Sequence, residues 1–217
     1  MIIAVIGGTG VEGSGLALRL AKAGHRVAIG SRDPAKAKLI AAELGQKIAG
    51  AKIEGDRNDA AAAAAEVVIL TVPYAAQRAT VDEIRGALAG KILVDATAPL
   101  VPPRVNRVQL PPGGSAVATI QSLLGDTTRV VSAFQNVAAE KLRQLDHPVD
   151  CDVLVCADDA TARQVVIDLI ASMGLRGIDA GPLCNSAAAE ALTSVLIWIN
   201  RKYKVPGAGI RITGLDA

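Results

Sequence analysis

The sequence predicts an α/β protein: a doubly wound, mostly parallel sheet followed by a short C-terminal helical part. Three observations predict it. Short runs rich in Val and Ile alternate with Ala- and Leu-rich segments of helical length. Those runs lack the polar alternation of half-solvated strands, as strands covered on both faces do. The 217 residues, 51% hydrophobic and 20% charged, suffice for one main core plus an appendage. Regular β-α alternation places such a sheet between two helical layers.

Each element has its own reason. Ile2 to Ile6 is the first apolar run, and Val11 to Ala23, amphipathic and followed by Gly24, is the first helix. Val27 to Ile29 is the second strand. Asp33 before Pro34 supplies a cap and a first-turn proline for a helix over Ala35 to Leu44. Lys52 to Glu54 reads as a brief third strand and Asn58 to Ala65 as an Ala-rich helix. Val67 to Val72 and Ile92 to Val94 are strands on either side of a helix over Ala75 to Leu88. From Ala98 to Gly114 five prolines forbid a helix or a central strand, which predicts a surface excursion. Val130 to Ala133, Val153 to Cys156 and Leu175 to Ile178 are the last strands, with a helix over Thr161 to Met173. Asn185 to Tyr203 reads as one long apolar helix that needs a covering surface, so a homodimer is expected.

Composition excludes several classes of function. Aromatic residues make up 2% (Trp198, Tyr74, Tyr203, Phe134) and the formal charge is +2, so neither base stacking nor a broad phosphate-binding face is available, and no nucleic-acid partner is expected. Three cysteines without a CxxC and only two histidines suggest neither a disulfide framework nor a metal site. Met1 runs straight into an apolar strand, and no apolar stretch approaches the ~20 residues of a membrane span. No membrane association and a cytoplasmic location are the expectation.

The first β-α turn carries the chemistry. Strand, glycine turn and helix follow one another through Gly7-Gly8-Thr9-Gly10-Val11-Glu12-Gly13, in which Gly8, Gly10 and Gly13 satisfy G-x-G-x-x-G. Glycines let the backbone approach a pyrophosphate closely, and the helix N-terminus offers free N–H groups and a positive dipole end. In this context the motif identifies a Rossmann-type dinucleotide site. At the end of the second strand, where an acid would accept the ribose hydroxyls of NAD, stand Gly30, Ser31 and Arg32, with Lys36 one helical turn later. A hydroxyl and two cations match a 2′-phosphate, which predicts NADP(H). The chain therefore divides into an NADP-binding domain over residues 1–180 and a helical segment over 181–217.

Ligands of open α/β sheets lie beyond the carboxyl ends of the strands. There the sequence places Thr71-Val72-Pro73-Tyr74, Asp95 to Pro99 with Thr97, and Ala133 followed by Phe134-Gln135-Asn136-Val137. Tyr74 could stack on a cofactor, Gln135 and Asn136 could bond a carboxamide or ring carbonyl, and Thr97 could reach a ribose. Asp95 either holds the proline-rich loop or serves as an acid. No other acid or base stands out, since His25 and His147 fall in turns away from the crevice. That absence favours direct hydride exchange between two redox cofactors, where positioning carries most of the rate.

Gly7-Gly8-Thr9-Gly10, Gly30-Ser31-Arg32 with Lys36, Leu70 to Tyr74, Val131-Ser132-Ala133 and Asp179-Ala-Gly-Pro-Leu-x-Asn-Ser186 resemble the NADPH-dependent coenzyme F-420 reductases over nearly the whole chain. The resemblance implies a Rossmann domain with a small C-terminal part, a dimer, and hydride exchange between NADP(H) and the deazaflavin coenzyme F-420 as co-substrate. It implies that Thr9, Ser31, Arg32 and Lys36 hold the 2′-phosphate, that Gly10 to Gly13 hold the pyrophosphate, and that the deazaflavin lies against the segment after Ala133. The chain departs from archaeal members at Gln135 and Ala138, where they carry histidine and proline. Arg104, Arg107, Arg201, Lys202 and Lys204 are the cations available for the anionic tail of F-420. Two other readings remain at this point: an NADPH-dependent reductase of an imine or pterin, and a non-catalytic NADP sensor.

Overall fold

The computed structural model describes residues 1–215, so the last two residues of the expected C-terminal segment lie outside the described residues. The main sheet has six parallel strands in the order β3-β2-β1-β4-β5-β6, formed by β1 (Ile2–Ile6), β2 (Arg26–Ser31), β3 (Lys52–Arg57), β4 (Val67–Leu70), β5 (Ile92–Asp95) and β6 (Arg129–Ser132). The order reverses between β1 and β4, which pair in parallel from Ile3–Val67 to Ile6–Leu70. This reversal is where a doubly wound sheet opens a crevice for a ligand.

The apolar runs explain why the sheet is central. Every residue of β4 and β5 is buried, as are Ile3 to Ile6 of β1. One face is covered by α1 (Val11–Lys22), α2 (Pro34–Gly45) and α7 (Ala160–Ser172). The other is covered by α3 (Asn58–Ala64), α4 (Tyr74–Ile84) and α5 (Ala116–Leu124). Leu16, Leu20, Ile3, Ile29 and Ile69 are fully buried on the first face, and Ile6, Leu70, Ile84, Leu88 and Leu93 on the second. At about 25 cal/mol per Å² of apolar surface, each such side chain contributes roughly 1.5–3 kcal/mol. Asp33 caps α2 as expected, accepting from the N–H groups of Ala35 at 3.0 Å and Lys36 at 3.1 Å.

Three features depart from the sequence reading. Helix α5 was not expected. It opens where the proline-rich stretch ends, with the Ser115 hydroxyl accepting from Ala118 N–H at 2.9 Å. The strand expected over Val67 to Val72 stops at Leu70, because Thr71 and Val72 leave the ladder before Pro73, which precedes α4. The last two strands, β7 (Asp152–Val155) and β8 (Arg176–Asp179), form a separate parallel pair. That pair meets the main sheet through an antiparallel bridge between Ser132 and Cys156, with N–H to carbonyl distances of 2.8 and 3.0 Å. The reversal follows from the link between β6 and β7, where only the four-residue α6 (Ala139–Leu142) intervenes instead of a full crossover helix.

The long helix α8 (Ser186–Tyr203) is tied to the sheet through one buried carboxylate. Glu190 accepts from Ser115 Oγ at 2.6 Å, Ala116 N–H at 2.7 Å and Val117 N–H at 3.3 Å, and lies 2.7 Å from Ser186 Oγ. Ser186 Oγ is in turn 2.7 Å from Ser132 Oγ at the end of β6. The carboxylate sits at the positive end of α5 and satisfies free N–H groups there, which offsets the cost of burying it. Glu190→Ala would leave these donors buried without partners. A loss of at least about 2 kcal/mol in unfolding free energy, read from the urea midpoint, is expected, and a loss below about 0.5 kcal/mol would contradict this role.

Candidate functional site

The glycine turn leaves β1 through Gly7, at φ +78°, whose N–H donates to the Gly30 carbonyl at 3.1 Å and so ties the turn to the end of β2. A Cβ at Gly13 would stand 2.6 Å from Thr71 Oγ1 and 2.7 Å from Gly8 Cα, so this glycine lets α1 pack against the turn and β4. Gly10 differs. A Cβ there would meet only the Gly7 carbonyl, at 3.3 Å, and its φ of −81° is ordinary. Nothing in the protein demands glycine at position 10, but a group laid across the turn would. Gly10 also precedes α1 with no side-chain cap, so the first N–H groups of the helix stay free for an anion.

Two cavities flank this turn. The first, about 320 Å³, is walled by Gly7, Thr9, Gly10, Ser31, Arg32, Asp33, Lys36, Asn58 and the Thr71 to Pro73 segment. It brings Thr9, Ser31, Arg32 and Lys36 together on one wall. Arg32 and Lys36 are exposed, and neither forms an ion pair among the described residues. The one acid there, Asp33, has Oδ1 engaged by the α2 N-terminus, while Ser31 Oγ accepts from Asp33 N–H at 3.1 Å. Hydroxyl, guanidinium and ammonium converging beside a free helix N-terminus form a donor set for a phosphate monoester.

The second cavity, about 540 Å³ and mostly apolar, is walled by Val11, Glu12, Tyr74, Thr97, Phe134, Gln135, Val137 and Thr193, with Leu100, Pro102 and Val105 of the proline-rich loop as a further wall. Both cavities share Gly10, Thr71, Val72 and Pro73, so one extended ligand could thread from the first into the second. One buried atom on the bay wall, Gln135 Oε1, has no partner among the described residues. Gln135 is held firmly, its Nε2 donating to the Asp95 carbonyl at 2.7 Å and its own carbonyl accepting from Thr193 Oγ1 at 2.7 Å. Phe134 before it has φ +79°, a costly conformation for a bulky residue, maintained by the fully buried ring.

Two expected wall residues stand elsewhere. Ala133 is fully buried beneath the bay. Asn136 turns away: its amide donates to the Asp152 carbonyl at 2.6 Å, and its Oδ1 accepts from Leu154 N–H at 3.4 Å. It braces β7, because a buried amide must bond and the free backbone groups nearest to it are on that strand. Asp95 is buried behind the wall, accepting from Gln77 Nε2 at 2.6 Å and Thr97 N–H at 2.9 Å. Burial raises its carboxyl to about 6, against the opposing effect of those hydrogen bonds. Of the two roles left open for Asp95, loop anchoring is the one its contacts support. Arg104 and Arg107 do not wall the bay. Thr193, by contrast, was missed by sequence reasoning, since nothing distinguishes it from the other α8 residues until Gln135 is placed beside it.

Glu12 was read only as part of the turn, but its half-buried side chain walls the bay. Burial, with the Asp95 carboxylate as second cause, raises its carboxyl to about 8, and no hydrogen bond or cation lowers it.

Comparison with known proteins agrees with this geometry. Residues 2–99 match the family described as NADP oxidoreductase coenzyme F420-dependent. The chain is 45% identical over 224 residues to the F420-dependent NADP reductase of Methanocaldococcus jannaschii, covering 100% of both chains. It is 44% identical to that of Methanothermobacter thermautotrophicus, covering 99% of this chain and 96% of the relative. A crystal structure from Arthrobacter sp. FB24, provisionally described as an F420-dependent NADP-reductase, superposes with a TM-score of 0.80 at 31% identity over 97% of this chain and 98% of that one. A glycine turn before an uncapped helix, a cationic corner and an adjoining bay on a reversed parallel sheet thus coincide with full-length similarity, and the chain belongs to the coenzyme F420-dependent NADP oxidoreductase family.

Proposed function

We propose that this enzyme transfers a hydride between NADP(H) and the deazaflavin coenzyme F-420. The observation that carries the reading is the continuity of the two cavities through Gly10, Thr71, Val72 and Pro73. In this reading Thr9, Ser31, Arg32 and Lys36 hold the 2′-phosphate. Gly8, Gly10, Val11, Glu12 and Gly13 form the turn that receives the pyrophosphate: the N–H groups of Gly8 and Gly10 shape it by donating to the carbonyls of Val5 and Gly7, and those of Val11, Glu12 and Gly13 are left for the anion. Thr71 to Tyr74, Thr97, Gln135 and Val137 line the space for the nicotinamide and the deazaflavin, with Thr193 added. The bound pair supplies the redox chemistry. The chain aligns the two rings and excludes water, and mostly apolar walls suit both tasks. Exchange of a hydride with NADP(H) needs no metal.

Residues 1–180 bind NADP, and the segment from 181 onward closes the bay. Val195 and Trp198 expose 43% and 55% of their surfaces on α8, an apolar face that a second copy would cover in a homodimer. No described helix is long and apolar enough to cross a membrane. Three free cysteine thiols suit a reducing cytoplasm. For the anionic tail of F-420 the candidates are Arg104 and Arg107 of the proline-rich loop, whose Leu100, Pro102 and Val105 wall the bay, and Arg201, Lys202 and Lys204 at the end of α8; none of these cations walls the bay itself.

Three outcomes are expected. Mixing purified protein with NADPH and oxidised F-420 bleaches the absorbance near 420 nm; binding of NADPH with no bleaching would favour a sensor instead. Arg32→Ala raises KM for NADPH by about 10- to 100-fold, the equivalent of one charge-assisted phosphate contact, and leaves KM for NADH within about 2-fold; equal changes for both would refute the 2′-phosphate assignment. Sedimentation at micromolar concentration gives a dimer, and Trp198→Glu shifts it to monomer.

A further inference from the structure

Resting on the functional reading above, we propose that Glu12 is the proton donor of the reaction: a carboxyl that is neutral when the cofactor is bound and that delivers the proton which must accompany the hydride.

The chemistry requires such a group. A hydride carries two electrons and one proton, whereas neutral reduced deazaflavin holds one proton more. NADPH, F-420 and one H⁺ become NADP⁺ and reduced F-420. When the C–H bond of the dihydronicotinamide breaks and its electron pair forms a C–H bond on the deazaflavin, negative charge appears on the pyrimidine part of that ring. The Glu12 carboxyl breaks its O–H bond, its proton goes to the ring nitrogen bearing that charge, and the carboxylate is reprotonated from solvent. In the reverse direction the carboxylate accepts the same proton.

The placement singles out Glu12. Among the described residues walling the bay it is the one carboxyl. The two other carboxyls nearby, Asp95 and Glu190, are buried behind the wall and held by hydrogen bonds. Glu12 is half-buried, and no hydrogen bond or ion pair to its carboxyl forms among the described residues, so its proton is free to move. Glu12 also lies two residues beyond Gly10, in the first turn of α1, where phosphates are to be received. A carboxylate at that position would repel a pyrophosphate, but a neutral carboxyl would not.

The charged and titratable groups around it agree. From β5 the Asp95 carboxylate faces it and disfavours its ionised form. Tyr74 at the start of α4 shares the bay wall. Arg32 and Lys36 are in the neighbouring cavity, and Arg143, Glu43 and Lys47 line a small cavity on the far side of the turn with Thr9 and Val11. No cation stabilises the Glu12 carboxylate, and burial raises its carboxyl to about 8, near the pH at which a proton donor works best.

The experiment compares the wild type with Glu12→Gln, which keeps shape and polarity but cannot titrate. The first readout is binding alone. Calorimetry of NADP⁺ at about pH 8.5, where the 2′-phosphate is fully ionised, is run in two buffers of different protonation enthalpy. The wild type takes up a fraction of a proton on binding and Glu12→Gln takes up none; equal uptake by both overturns the proposal. The second readout is the single-turnover loss of 420 nm absorbance. The wild-type rate falls as pH rises beyond about 8, because the donor, its carboxyl raised further by the bound phosphates, is then ionised. Glu12→Gln is about 100-fold slower and flat over that range, with KM for NADPH within a few-fold. A Glu12→Gln profile that keeps the alkaline fall, or a fall that vanishes instead in Tyr74→Phe, overturns the proposal. A wild type that never bleaches F-420 overturns the functional reading, whereas bleaching with an unchanged profile overturns the proposal alone. Should Glu12→Gln not fold, infrared titration of ¹³C-glutamate-labelled wild type with NADP⁺ bound reads the same carboxyl. A neutral C=O band that survives to about pH 8 supports the proposal, and its loss below about pH 6 refutes it.

Discussion

The free N-terminus of α1, presented over a glycine turn, is the constraint to which the rest of the site answers. Peptide N–H groups left unpaired at a helix start must find partners, and an anion satisfies several at once. The turn reaches this geometry because Gly7 takes a left-handed φ and Gly13 brings α1 against Thr71. Gly10 then leaves open space where a side chain would otherwise stand. Strand order does the rest. Placing β4 beside β1 on the opposite side from β2 puts a cationic corner at one end of the turn and an apolar bay at the other.

The bay depends on a second device, because its walls come from elements far apart in the chain. Gln135, behind the strained Phe134, is fixed from both sides: its side chain bonds to β5 and its carbonyl accepts from Thr193 on α8. Helix α8 keeps its position through Glu190, whose bonds reach the N-terminus of α5 and, through Ser186, the end of β6. A buried carboxylate behind the bay wall thus sets where a bay residue stands. This also accounts for the Ser186 end of the Asp179-Ala-Gly-Pro-Leu-x-Asn-Ser186 stretch, which starts α8 beside Ser132.

Local signals were legible in the sequence and long-range ones were not. The glycine turn, the Asp33 cap and the Ser31, Arg32 and Lys36 set all lie within about one β-α unit, where spacing alone fixes which groups meet. Helix α5 was missed because the prolines before it dominated the reading, although Ser115 ahead of an apolar run is an N-cap signal. Ala133 and Asn136 were misplaced because topology brings a strand end to the crevice without saying which side chains face it; the free backbone groups of β7 claimed Asn136. The separate β7-β8 pair followed from a short connection that the alternation of runs did not reveal. Glu12 was legible as a residue and not as an acid, since its burial and the nearness of Asp95 exist only in the folded chain.

Choice of cofactor rests on the corner beyond β2. Equilibrium titration of the wild-type protein with NADP⁺ and with NAD⁺, at low and high ionic strength, tests it without reference to any acceptor. A phosphate held by two cations and a hydroxyl predicts binding of NADP⁺ at least about 100-fold tighter, with the preference shrinking as salt is raised. Equal affinities, or a preference indifferent to salt, would contradict it.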